Sequence, residues 1–119
     1  MHSALSANET LYHIYGCNVN KKLIPIVFNK NAIIRDKILK LKAIGHERIR
    51  HYYNEIDFLY KDILLLKVQQ NTPNEYETKW KRTRYDTDQT IFGLDRIIIT
   101  ENKIVNILTE FYTKEIEEN

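Results

Sequence analysis

Residues 32–70 read AIIRDKILKLKAIGHERIRHYYNEIDFLYKDILLLKVQQ, and the spacing of their apolar side chains decides how the fold is read. Ile34, Ile38, Leu41, Gly45, Ile49, Tyr52, Ile56, Leu59, Ile63 and Leu66 follow one another at steps of three or four. Side chains at those offsets stack on one face of a helix. Lys, Arg, Glu and Asp fill the positions between, as a solvated helix face requires. The pattern predicts a helix over 32–70.

Asn71-Thr72-Pro73-Asn74 interrupts it. Proline cannot continue a helix and pushes the residue before it out of the α region. Thr72 suits an N-cap, with Pro73 at the first helical position and Glu75 in the first turn. A second stripe follows through Tyr76, Trp80, Thr83, Thr87, Ile91, Leu94, Ile98, Val105, Leu108 and Tyr112. It predicts a second helix over 73–117. The stripe is imperfect at Glu101 and Asn102, so a second reading breaks that helix near Thr100. Ile97-Ile98-Ile99-Thr100 taken alone suits a strand, but its flanks do not.

The expected fold is therefore all-α: a long antiparallel helical hairpin over residues 31–119, preceded by an arm over residues 1–30. Leu11–Tyr15 and Leu23–Phe28 are apolar and could pair as a short β-hairpin, Pro25 restricting the second strand to an edge. They could equally lie as an irregular arm on the helices. Charge supports the hairpin. Lys21, Lys22, Lys30, Arg35, Lys37, Lys40 and Lys42 face Asp36 alone, whereas Glu110, Glu115, Glu117 and Glu118 crowd the far end. The three glycines and two prolines are few for a protein built on tight turns.

At 119 residues, one domain is the expectation. A net charge of +2 is too small to demand a polyanionic partner. No run reaches the roughly 18 apolar residues of a membrane helix, and no signal peptide opens the chain. The single cysteine, Cys17, suits a reducing compartment. A cytoplasmic protein with no membrane contact is expected.

Few residues suggest chemistry. His46-Glu47 followed by His51 approaches the zinc motif H-E-x-x-H, but its histidines are five apart and diverge by about 140° on a helix. Asp57, Asp62, Asp86, Asp88 and Asp95 read as surface salt-bridge partners, since no Glu-x-x-His accompanies them. No glycine-rich phosphate loop is present. The expectation is a protein that is not an enzyme and holds no cofactor or metal.

Two functions remain. The first is a non-catalytic helical interaction or assembly module, completed to a bundle by the arm, by a second copy or by another helical protein. Ile97, Ile104 and Phe111, spaced by seven, are its candidate interface. The alternative is a nucleic-acid-associated protein that uses the clusters at 37–42 and 79–84. Lys79, Lys81, Arg82 and Arg84, interleaved with Trp80 and Tyr85, are the candidate contacts. That alternative requires the two clusters to share one face.

Overall fold

The computed structural model describes residues 6–15 and 19–112. Cys17 and the acidic residues Glu115, Glu117 and Glu118 lie outside the described residues. The described chain is mixed α/β and mostly strand, and the all-α hairpin is overturned. Its elements are α1 (Ala7–His13), a 3-10 turn (Lys21–Leu23), α2 (Ile24–Val27), β1 (Phe28–Asp36), β2 (Leu41–Ile44), α3 (Gly45–Leu59), β3 (Tyr60–Gln70), β4 (Glu75–Arg84), β5 (Thr90–Thr100) and β6 (Lys103–Phe111). The strands form one sheet in the order β2-β1-β6-β5-β4-β3. Only the β1–β6 pair is parallel.

Within 32–70 the helical spacing holds over α3 alone. There Ile49, Tyr52, Tyr53 and Ile56 are buried at i, i+3, i+4 and i+7. On either side the period is two. Ala32, Ile34 and Asp36 point inward from β1. The run Ile63–Leu66 satisfies a helical and a strand period alike, and its β-branched and apolar content suits a sheet. Asn71–Asn74 does reverse the chain, but between strands. Thr72 Oγ1 accepts from the backbone N–H groups of Asn74 and Glu75 at 3.3 and 3.1 Å, closing the β3–β4 turn rather than capping a helix.

The expected second helix is three strands. The β5–β6 turn falls at Glu101-Asn102, where both residues have positive φ (53° and 63°). That geometry fits the type I′ turn whose twist matches a two-residue hairpin. The N-terminal residues form no β-hairpin among the described residues. Ser6 and Glu9 close a capping box on α1, and the arm buries Leu11, Ile14, Ile24 and Val27 in the same core as the sheet. No helix among the described residues is long and apolar enough to cross a membrane.

The core lies between the inner face of the sheet and the layer formed by α1, α2 and α3. Gly93 shapes it. A Cβ there would fall 1.9 Å from Cζ2 of Trp80, so only glycine leaves the indole its place against β5.

Candidate functional site

Strand register places four polar side chains in one row across the inner face. Thr78 on β4 is opposite Asp95 on β5, Asp95 is opposite Thr109 on β6, and Thr109 is opposite Asp36 on β1. All four are buried. Residues directly opposite on one face of a sheet lie within about 5 Å, so the row is continuous. An apolar rung of Tyr76, Ile97, Ile107, Ile34 and Ala43 borders it on one side.

The helical layer supplies the other partners. Thr109 donates its hydroxyl to Asp95 Oδ1 at 2.7 Å, and Tyr15 donates to Asp95 Oδ2 at 2.5 Å. The Tyr15 hydroxyl also meets Thr78 Oγ1. Tyr15 is held there because α1 and the residue after it sink Leu11 and Ile14 into the core. At the other end of the row, Tyr52 on α3 donates to Asp36 Oδ2 at 2.6 Å. Asp36 Oδ1 accepts from the backbone N–H groups of Ile38 and Leu39, both at 2.9 Å. Asp36 is thus fully engaged in holding the β1–β2 turn. Asp95 is held by side chains alone, among the described residues.

Arg82 gives the row its charge. It points inward from β4, is 4% exposed, and lies over the ring of Trp80 at 3.9 Å and of Tyr60 at 5.4 Å. Among the described residues its Nε and Nη1 have no hydrogen-bond partner, and the Trp80 indole nitrogen faces Asp95 without a hydrogen bond of normal geometry. Among the described residues Arg82 forms no ion pair. Native proteins leave few buried donors unmade, because each costs about 1–3 kcal/mol.

Burial raises the Asp95 carboxyl above its ordinary value, although the Arg82 charge and the polar hydrogens of Tyr15, Trp80 and Thr109 pull the other way. Burial also raises Tyr15 well above its ordinary value, with the Asp95 charge adding to it. For Arg82, burial lowers the pKa, but the surrounding Tyr52, Asp95 and Asp36 outweigh it and hold the guanidinium charged. The interior therefore contains a fixed cation with free donors and a carboxyl inclined to keep its proton.

The sequence-derived candidates are scattered by this fold. Lys79 and Lys81 project from the outer face of β4, while Arg82 points into the core. Arg84 is bound to Asp86 through Nε and Nη2 at 2.8 and 2.9 Å. Ile97 and Ile104 are interior residues on different strands, buried by their own chain, so neither offers a surface to a second copy. Phe111 is 64% exposed at the end of β6. His46 meets the Phe28 carbonyl at 2.8 Å and His51 pairs with Glu47. Asp95, read as a surface partner, is instead an interior residue. From sequence, Tyr15, Thr78 and Thr109 are not singled out, and Tyr52 reads as a core position of a helix rather than as the partner of Asp36. The available signal was a lone acid, Asp95, inside the apolar run Ile91–Ile99.

The sequence matches no described protein family and no curated protein. Solved structures do match. A de novo designed protein with a curved β-sheet covers 99% of this chain and 96% of its own, with a TM-score of 0.75 at 10% identity. The fold is NTF2-like. An NTF2-like protein of unknown function from Burkholderia xenovorans LB400 aligns with a TM-score of 0.67 at 9% identity, over 94% of this chain and 91% of that one. A proposed isomerase of the SnoaL-like family from Agrobacterium tumefaciens str. C58 aligns at 0.66 and 18% identity, over 78% and 80%. Identities this low establish the fold and leave the activity to the site.

Proposed function

We propose that the inner polar row binds a small molecule bearing a carbonyl or carboxylate oxygen, which enters as the helical layer moves off the sheet, with Asp95 as the group that holds a proton beside it. The observation that carries this reading is Arg82. A guanidinium 4% exposed, with two donors unmade and the unmade indole N–H of Trp80 stacked beneath it, is matched to an oxygen acceptor. A carboxylate is the best fit because it supplies both the acceptors and the charge.

Asp95 gives the site its second property. A carboxyl whose pKa is raised by burial can donate a proton to a bound oxygen or take one from a neighbouring carbon. The Agrobacterium neighbour, a proposed isomerase, is consistent with such chemistry on this fold. Binding is the claim. A catalytic step would add proton exchange between Asp95 and the ligand, and an Asp95→Asn variant that binds without turnover would mark it.

The test is a thermal-shift series with acetate through octanoate, benzoate and the matched methyl ketones, on the wild type and Arg82→Met. A ligand at one hundred times its Kd adds about 2.7 kcal/mol, which raises Tm by roughly 10 °C in a domain this size. The expected result is such a rise in the wild type and none in a folded Arg82→Met. Methionine removes two unmade donors as well as a charge, so the variant is expected to fold. An undiminished shift in Arg82→Met would overturn the reading, as would a series in which no compound shifts the wild type.

A further inference from the structure

The outer face of the same sheet has a separate character. From β1, Arg35 projects outward beside the inward-facing Asp36, and it lies directly opposite Lys42 on β2. Like charges directly opposite each other across a strand pair are destabilising. Among the described residues neither Arg35 nor Lys42 is in an ion pair. The turn between the strands adds Lys37, which reaches Glu110 only at 4.0 Å, and Lys40, with φ 58°. These four cations line an open cleft of about 770 Å³, floored by Leu41, Asn106 and Leu108. The one carboxylate of the hairpin, Asp36, also borders the cleft, but its oxygens are engaged by Tyr52 and two backbone N–H groups, so the cations outnumber it four to one.

Further cations lie across the sheet, beyond Glu110, which pairs with Lys37 and Arg96. Register carries the outer face from Lys37, held to the Thr109 carbonyl, past Glu110 and Leu94 to Lys79, and beyond it to Lys81 opposite Phe92. From β1 to β4 is three strand spacings, about 14 Å. A single phosphate cannot bridge that distance. Two half-buried aromatic rings lie at the same end: Phe92, and Tyr112 with the Lys79 ammonium 4.7 Å from its ring centre. Of the two sequence clusters, Lys42, Lys79 and Lys81 project from this face, while Arg82 is withdrawn into the core and Arg84 is bound to Asp86.

We infer that this outer face binds single-stranded nucleic acid, with the backbone crossing the strands from the Arg35–Lys42 cleft toward Lys79 and Lys81. Cations spaced across several strands meet successive phosphates, and the half-buried rings of Phe92 and Tyr112 beside them offer surface on which bases stack. The site is independent of the inner polar row, since Asp95, Arg82 and Tyr15 lie on the other side of the sheet.

The test is fluorescence anisotropy with labelled dT12 and U12 over a salt series from about 50 to 200 mM, the range in which phosphate contacts weaken steeply. With four phosphates engaged, the log–log slope of affinity against salt is expected near −3, at about −0.7 per contact. Arg35→Gln with Lys42→Gln should lower affinity and make the slope shallower by about 1.4. That double variant removes a like-charge pair, so its Tm should not fall. Arg84→Gln should leave binding unchanged. Absence of binding at the lowest salt would overturn the inference. So would an unchanged slope in the double variant, or binding to vesicles rich in anionic lipid with none to the oligonucleotides.

Discussion

Gly93→Ala is expected to destabilise the protein by about 3 kcal/mol or more, a large part of the roughly 5–15 kcal/mol that holds a typical domain together. The added methyl would sit 1.9, 2.2 and 2.3 Å from Cζ2, Cη2 and Cε2 of Trp80. No real Cβ tolerates such contacts. Trp80 is fully buried and covered by Arg82, so the indole can give way only by displacing its neighbours. Overpacking a well-filled core costs about 1–3 kcal/mol, and expelling a tryptophan costs about 3–5. Trp80→Leu vacates the contested volume. In the double variant the penalties should fall short of their sum, with a coupling of roughly 1–3 kcal/mol. Denaturant unfolding of the four proteins measures this. Additive penalties would mean that the ring does not lie on Gly93.

Asp95→Asn is expected to act in the opposite direction and stabilise the protein at neutral pH by about 0.5–2 kcal/mol, the scale on which functional sites trade stability. Its carboxyl, raised by burial, titrates above the 3.8 of an unfolded chain. Below that pH both states hold the proton and Asp95 costs nothing. As pH climbs from 3.8 through the folded value, the unfolded state releases its proton more readily, and the wild type loses stability that the amide keeps. Asparagine can accept from Thr109 through Oδ1 and donate to the Tyr15 oxygen through Nδ2, so the packing survives. The stability difference between variant and wild type should be small near about pH 3.5, open with rising pH, and then level off. A difference independent of pH, or a less stable variant at neutral pH, would show that the buried carboxylate is not the source of strain.

These two residues also explain how the sequence hides the fold. Inward positions on β4 are Tyr76, Thr78, Trp80 and Arg82, and on β5 they include Gly93, Asp95, Ile97 and Ile99. An alternation of apolar and polar residues is the visible sign of a half-buried strand. Here Thr78, Arg82, Asp95 and Thr109 occupy core positions with polar groups and erase that sign. The positions at which local reasoning fails are the ones that make up the candidate site, as expected where function displaces packing. A tandem of two strands, a helix and a third strand over 28–70 then mimics one long stripe, because the continuous apolar run Ile63–Leu66 fits any period. Other features were legible. Asn71–Asn74 marks a reversal, Thr100–Asn102 offers a break, and Ile49, Tyr52 and Ile56 trace a true helical face. The clustering of Lys37, Lys40 and Lys42 with Lys79 and Lys81 needed the sheet, since no helical hairpin brings them to one surface.

The proposal of an interior oxygen site on Arg82 and Trp80 has a direct spectroscopic reporter. Trp80 is the only tryptophan in the chain, so a ¹H–¹⁵N spectrum contains a single indole N–H peak. Titration with the carboxylate that most raises Tm should move that peak saturably in the wild type, toward the downfield position of a newly made hydrogen bond. The same titration should leave it in place in Arg82→Met. An indole peak that stays still while Tm rises would put the ligand elsewhere on the molecule, and an equal movement in Arg82→Met would remove the guanidinium from the site.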